Sequence, residues 1–245
     1  MHCGLQSFQW YAIDLLGCFN NIPPEEYIFG AIYSAARYSS HGTLALYNFI
    51  SISPQHANFL TRFSDWMLIP LPTIIDTYKL LVLLYIYPNI RATLSHTKEF
   101  PRLLRKIIQI HDNKIFVTIG SLLKRSIVDP RLFAQLESSG FFKEYFEYVQ
   151  NSESSSVLSS ALVTCSFLAD IEFSNAYLLC LQRFANCAKG KSNLKNYAIQ
   201  VIVALSKHKE ARSMLRSSGL MEMFQEMKGE YDNLAQQFFE NMEKD

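Results

Sequence analysis

Histidines and cysteines are the residues of this chain best suited to metal binding or nucleophilic chemistry, and their spacing supports neither. The six histidines are scattered, and none pairs with a cysteine or a carboxylate at the spacing of a metal site. Cys180 and Cys187 are seven residues apart, two turns of a helix, and no second pair accompanies them. The nine glycines form no phosphate-binding loop, and the Gly-x-Ser-x-Gly motif of hydrolases is absent. We therefore expect no enzyme, no metal and no cofactor.

Basic side chains form the other group with chemical potential. Between Pro101 and Arg125 six of them stand against Asp112 alone, although the net charge of the whole chain is only +1. Two interpretations stay open: a solvated helix face, which we favour, or a groove for RNA or an acidic partner. The candidate partner- or RNA-binding residues are Arg91, Arg102, Arg105, Lys106, Lys124, Arg125, Lys195, Gln200 and Arg212.

The elements that position these groups are predicted to be helices. In residues 129–169 a short helix with Pro130 in its first turn precedes Gly140, and an aromatic helix follows. After a polar break at residues 151–156 comes a longer helix with apolar residues at i, i+4 spacing. Short helix, glycine, helix, polar turn and longer helix form the layout of one armadillo-type repeat.

Further copies of this unit follow the same period. The pattern Leu-x-Ser-Ser-Gly at residues 136–140 recurs at residues 215–219, 79 residues later, which is two periods of about 40. The long third helices are predicted to start near Thr73, Asn113, Ser155, Ser192 and Asp232. Because one such unit cannot bury its own apolar faces, it must stack on neighbours. We predict an all-α fold, a right-handed armadillo-like superhelix of about five to six repeats.

The array is predicted to be one domain over residues 1–245, with residues 1–24 as an N-terminal cap. Residues 25–40 and 43–52 form a first, degenerate pair of helices, separated by a loop that ends at Gly42. No segment alternates in hydrophobicity between turn signals, so we expect no sheet.

Two apolar segments resemble export or membrane signals only superficially. Residues 1–19 lack the basic start of a signal peptide and carry Asp14. Residues 80–87 are uninterruptedly apolar, but a membrane span needs about 20 such residues, so we expect a buried helix and no membrane segment. Five cysteines, an odd number partly on apolar helix faces, are typical of reduced thiols in intracellular proteins. We expect a cytoplasmic location, with the nucleus as a second one.

In an array of this kind the third helices line the concave face, so their outward residues select the ligand. Alignment with the general armadillo pattern places Val163 and Phe167, and then Gln200 and Ala204, where peptide-binding members such as the nuclear-import adaptors carry tryptophan and asparagine. The ladder that grips an extended basic peptide is therefore missing.

Residues 73–224 also resemble one family within this class. Residues 87–94, Tyr-Pro-Asn-Ile-Arg-Ala-Thr-Leu, are similar to its His-Pro-x-x-Arg-x-x-Phe turn. Residues 119–124 are similar to its Ile-Gly-Ala-Leu-Val-Lys helix, and residues 211–216 to its Ala-Arg-Glu-Ala-Leu-Arg segment. This is the required-for-cell-differentiation family, the armadillo subunit of the CCR-NOT mRNA deadenylase complex.

The resemblance implies a non-catalytic scaffold in mRNA deadenylation, mRNA decay and translational repression. Its expected partners are the NOT scaffold subunit and short linear peptide motifs, some held in tryptophan pockets. Weak RNA binding is expected separately, from the basic side chains described above. The family's Tyr and Arg in the final long helix are replaced here by Ile202 and Ala204. The alternatives are a generic armadillo regulatory module of a signalling or cytoskeletal protein, and direct nucleic-acid binding through residues 102–125.

Overall fold

All regular structure is helical in the part of the chain that the computed structural model describes. The described residues are 23–38, 40–61, 88, 89, 92, 97, 99–126, 130–190, 193–227, 229 and 231–244. The chain divides into two compact units, residues 1–122 and 123–245. Since each repeat of a linear array contacts only its neighbours, this division does not decide between one domain and two, and the single domain stays a prediction. No helix among the described residues is long and apolar enough to cross a membrane.

Unit 1 contains an aromatic cluster and two longer helices. Its elements are α1 (Glu26–Ala36), α2 (Ser40–Ser51), α3 (Pro54–Ala57), a 3-10 turn (Asn58–Thr61), α4 (Glu99–Ile108) and the start of α5 (Asn113–Ser126). Phe29 is fully buried and stacks on Phe59 with ring centroids 5.0 Å apart. The Asp112 carboxylate accepts the backbone N–H groups of Lys114 and Ile115, each at 2.9 Å, and so caps α5.

The prediction of a loop that ends at Gly42 is wrong. Helix α2 already begins at Ser40, so Gly42 lies inside it. A Cβ atom at Gly42 would lie 2.5 Å from the backbone carbon of Ala35 in α1, closer than any real contact allows. This glycine therefore marks a close approach of two helices instead of a break between them.

Unit 2 contains the last three of the predicted repeats. Its elements are α6 (Pro130–Ser138), α7 (Phe141–Asn151), α8 (Ser155–Ile171), a 3-10 helix (Asn175–Cys180), α9 (Leu181–Lys189), α10 (Lys195–Ser206), α11 (Lys209–Ser217), α12 (Leu220–Glu226) and α13 (Asp232–Met242). The predicted third-helix starts at Asn113, Ser155 and Asp232 are confirmed. Helix α10 begins three residues later than predicted, at Lys195, after a turn at Asn193 and Leu194. Three expectations lie outside the described residues: a helix start near Thr73, the buried helix at residues 80–87 and, apart from residues 23 and 24, the N-terminal cap at residues 1–24.

The recurring Leu-x-Ser-Ser-Gly pattern builds the same helix end twice. Gly140 and Gly219 both have positive φ, 77° and 66°, and each precedes a new helix. The Ser139 hydroxyl donates to the Leu136 carbonyl at 2.8 Å, and the Ser218 hydroxyl donates to the Leu215 carbonyl at 2.6 Å. A left-handed residue that ends a helix is most easily a glycine, which explains the pattern.

Several hydrogen bonds between distant described residues of unit 2 span about one repeat period. The Ser174 hydroxyl donates to Glu137 at a sequence separation of 37, and the Cys180 thiol donates to the Phe146 carbonyl at a separation of 34. The Asn241 amide donates to the Ser206 hydroxyl at a separation of 35. Such bonds join each repeat to the next one, and they fit an all-α helical repeat.

Candidate functional site

An open cavity of about 400 Å³ lies in unit 2 between the long third helices. We call it the helix groove. Its lining residues are Lys124, Val163, Ser166, Phe167, Asp170, Gln200, Val203, Ala204, Lys207, Leu234 and Gln237. They come from the last turn of α5, from α8, from α10 with the residue that follows it, and from α13. Four of the described helices, each predicted to be the third helix of its repeat, thus contribute to one surface.

The floor of the helix groove is apolar. Val203 and Ala204 of α10 are only 3% and 4% exposed, while Val163, Phe167 and Leu234 are half-buried and keep some surface open. The Ser166 hydroxyl donates to the Val163 carbonyl of its own helix at 3.0 Å. Since this hydroxyl is already bonded, it adds little polarity to the floor.

The rim of the helix groove is polar. Gln200 and Gln237 are exposed, and so are Lys124, Asp170 and Lys207. Lys207 and Asp170 form an ion pair with side chains 46% and 56% exposed, so the pair contributes at most about 1 kcal/mol to stability. Among the described residues no carboxylate pairs with Lys124. Among the described residues, the rim therefore offers Lys207 in an ion pair, Lys124 without an acidic partner, and the amides of Gln200 and Gln237.

No family model matches the sequence, and no curated protein matches it either. The fold does have a solved counterpart. A crystal structure of an engineered protein, determined by the Northeast Structural Genomics Consortium, is similar with a TM-score of 0.59. The match covers 95% of this chain and 99% of that one at 12% sequence identity. At so low an identity the likeness shows the all-α fold alone.

The four positions that the sequence alignment placed on the concave face all line the helix groove. These are Val163, Phe167, Gln200 and Ala204. Two of the nine candidate binding residues, Lys124 and Gln200, line it as well. Their role in binding stays a prediction.

The groove residues that sequence reasoning missed carry a recognisable signal. Val163, Gln200 and Gln237 follow one another at intervals of 37 residues, and so do Asp170 and Lys207. If the repeat period of 37 residues is applied to the outward-facing positions as well as to the helix starts, it therefore identifies Gln237 and the Asp170–Lys207 ion pair.

The remaining basic candidates lie outside the helix groove. Arg102, Arg105 and Lys106 are exposed on α4 of unit 1, and Arg125 is exposed beside Lys124 at the end of α5. This exposure leaves them accessible to solvent or to a polyanion, and RNA binding stays a prediction. Arg91 lies outside the described residues.

Lys195 and Arg212 are less accessible than expected of binding residues. The Lys195 ammonium lies 6.0 Å from the centre of the Tyr231 ring, within reach of a cation–π contact. Arg212 is only 8% exposed, and its Nε atom is buried. It occupies the repeat position of Phe133, 79 residues earlier, which is also buried. The repeat thus turns the Arg212 side chain inward, where it offers little surface to a partner.

The described cysteines have free thiols that are kept protonated. Burial raises the pKa of Cys165 well above its ordinary value, and it raises the pKa of Cys180 to about 12. Burial also raises the pKa of the half-buried Cys187. Because the thiolate is the reactive form, these thiols are poor nucleophiles and poor metal ligands near neutral pH. Within the described residues no group of three His, Cys, Asp or Glu side chains is placed to hold a metal ion.

Proposed function

We propose that this chain is a non-catalytic protein-interaction scaffold that holds short segments of a partner in the helix groove. The observation that carries the proposal is the origin of the groove, whose lining comes from four successive third helices. Its apolar floor and polar rim match the general form of a site for small ligands or peptide side chains. In helical-repeat proteins, extended surfaces of this kind are the usual binding faces.

The proposal includes the finer architecture, a right-handed armadillo-like superhelix of about five to six repeats. Two observations support it. The Leu-x-Ser-Ser-Gly helix end is built twice, 79 residues apart. Hydrogen bonds such as Ser174 to Glu137 and Asn241 to Ser206 span 37 and 35 residues, about one repeat.

The proposed assembly is the CCR-NOT complex, in which this chain serves as a divergent armadillo subunit. This assignment rests on the sequence resemblance in residues 73–224 alone. It places the protein in mRNA deadenylation, mRNA decay and translational repression, with the NOT scaffold subunit as its principal partner and a cytoplasmic or nuclear location. The alternative is a generic armadillo module that regulates a signalling or cytoskeletal protein.

Affinity purification of the tagged chain from its native cells, followed by mass spectrometry, separates the two assignments. We expect recovery of the NOT scaffold subunit together with deadenylase subunits. Recovery of kinases or cytoskeletal proteins without any deadenylase component would favour the alternative. A parallel purification with Phe167→Ala, which removes a half-buried ring from the floor, reports which partners depend on the helix groove.

A further inference from the structure

We infer that the helix groove selects linear peptide segments in which an acidic side chain neighbours a large apolar one. The inference rests on the proposed protein-binding function and specifies its ligand. Three features of the groove carry it: the charge of the rim, the size and polarity of the floor, and the two amides.

The rim has an excess of positive charge. Among the described lining residues, Lys124 and Lys207 oppose the single carboxylate of Asp170, which already pairs with Lys207. Within the described part of the chain, Lys124 has no acidic partner. A carboxylate that enters the groove beside Lys124 gains a charge-assisted contact, whereas a lysine or arginine there meets a like charge. Charge therefore favours an acidic segment over a basic one.

The floor accepts apolar side chains and little else. Its volume of about 400 Å³ is near the lower end of the range of about 300–1,000 Å³ typical of ligand pockets. That space suits a few side chains of a segment and excludes the face of a folded domain. Phe167, Val163 and Leu234 are only half-buried, so a large apolar side chain would complete their burial.

The two rim glutamines suit a peptide main chain. Gln200 and Gln237 are exposed, stand at equivalent positions 37 residues apart, and belong to the neighbouring helices α10 and α13. Each amide both donates and accepts, as a peptide bond requires of its partner. An extended segment could thus be held by its backbone at both glutamines while its side chains reach the floor and Lys124.

Selection of a phage-displayed random dodecapeptide library on the immobilised full-length chain tests this inference. We expect enriched sequences that place Asp or Glu next to Phe, Leu, Ile or Trp. Synthetic peptides of the enriched sequences are then titrated against the wild type and three variants whose folding is checked by circular dichroism. Lys124→Glu reverses the charge of the rim lysine that has no acidic partner among the described residues, Phe167→Ala removes a half-buried ring from the floor, and Lys209→Glu is a matched reversal at an exposed lysine outside the groove.

The expected result is a loss of affinity of about tenfold or more with Lys124→Glu and Phe167→Ala, and no change with Lys209→Glu. A peptide with lysine in place of its acidic residue should recover affinity for Lys124→Glu. Peptides that are weakened by Phe167→Ala but lack an acidic residue and ignore Lys124→Glu would overturn the inference and leave the proposed function standing. Peptides indifferent to Phe167→Ala, or no enrichment at all, would overturn both.

Discussion

The central repeat, residues 129–169, and the last repeat, residues 207–244, follow the same backbone course but differ in their buried side chains. We call this shared course of helices and glycine turns the backbone frame. In each, a nine-residue helix ends in the Leu-x-Ser-Ser-Gly pattern, with a buried leucine and a glycine at positive φ. The helix that follows is 11 residues long in the central repeat and has five buried side chains, three Phe, one Tyr and one Val. Its counterpart in the last repeat has seven residues, of which only Leu220 and Phe224 are buried.

Polar side chains in the last repeat take over packing positions and contacts that aromatic side chains provide in the central repeat. Phe133 is buried against Phe142, with ring centroids 4.8 Å apart, and the equivalent position holds the buried Arg212. The Arg216 guanidinium donates to the Met242 carbonyl at 2.7 Å and so fastens α11 to the end of α13. The comparison shows that the turn pattern sets the course of the backbone, while the residues around it decide how much apolar surface the repeat buries.

The largest difference should appear when one core ring is removed from each repeat. Phe146 is fully buried and lies near the rings of Tyr145 and Tyr177, with centroids 5.1 Å and 5.2 Å away. Phe146→Ala should therefore lower the free energy of unfolding by about 3–5 kcal/mol. Phe224 is also buried and stacks on Phe238 with ring centroids 4.1 Å apart, so Phe224→Ala should cost about 3 kcal/mol. This lies at the lower end of the range because only two side chains of the short helix α12 are buried.

Urea unfolding followed by circular dichroism measures both losses. Hydrogen exchange should show that Phe146→Ala weakens protection throughout unit 2 and that Phe224→Ala weakens mainly α12 and α13. The control is Lys143→Ala on α7, whose side chain is 72% exposed and whose effect should stay within about 0.5 kcal/mol. Equal losses with the same pattern of exchange would refute the difference between the repeats.

The stability of the two regions should also differ in its dependence on alkaline pH. The buried residues of the last repeat include no tyrosine or cysteine, whereas Tyr145, Cys165, Tyr177 and Cys180 are buried in the central repeat and the one after it. Burial raises the pKa of all four. The folded state thus holds these protons more tightly than the unfolded state, so their stabilisation is complete below the unfolded pKa values and declines as pH rises above them.

For Cys180 the pKa rises from 9.0 to about 12, and one unit corresponds to about 1.4 kcal/mol, so this thiol alone should remove about 2–3 kcal/mol between pH 9 and 11. Urea unfolding at several pH values measures the slope. Cys180→Ala should make the decline with pH shallower, while Phe224→Ala should lower stability equally at every pH. An unchanged slope in Cys180→Ala would exclude the buried thiol as a cause.

Sequence reasoning located the frame well because the frame depends on local chemistry. Helix starts at Ser155 and Asp232, and the glycine turns, follow from capping, turn residues and periodicity within a few positions. Features that depend on contacts between helices were missed or misjudged. The sequence predicts a loop at Gly42 because the contact of this glycine with Ala35 is invisible in it, and it predicts binding by Arg212 because the charge of this residue is more conspicuous than its repeat position.

The smallest expected effect tests the shared frame itself. Gly140→Ala and Gly219→Ala each place a Cβ at a left-handed backbone position, which costs about 1–2 kcal/mol whatever packs around it. At Gly219 the nearest side-chain atom to that Cβ is the Lys189 ammonium nitrogen at 3.0 Å, the end of a flexible chain that can move away. We therefore expect nearly equal losses in urea unfolding, although the two repeats differ so much in core.

Gly30→Ala provides the control for these two substitutions. Gly30 lies in the middle of α1, and a Cβ there meets no atom within 4 Å. The same change should stabilise this helix by about 0.5–1 kcal/mol, because alanine loses less backbone entropy than glycine. The losses at Gly140 and Gly219 could instead differ from each other by more than about 2 kcal/mol, the largest loss expected at either position. That result would mean that the surrounding core, and not the backbone conformation, requires glycine at these turns.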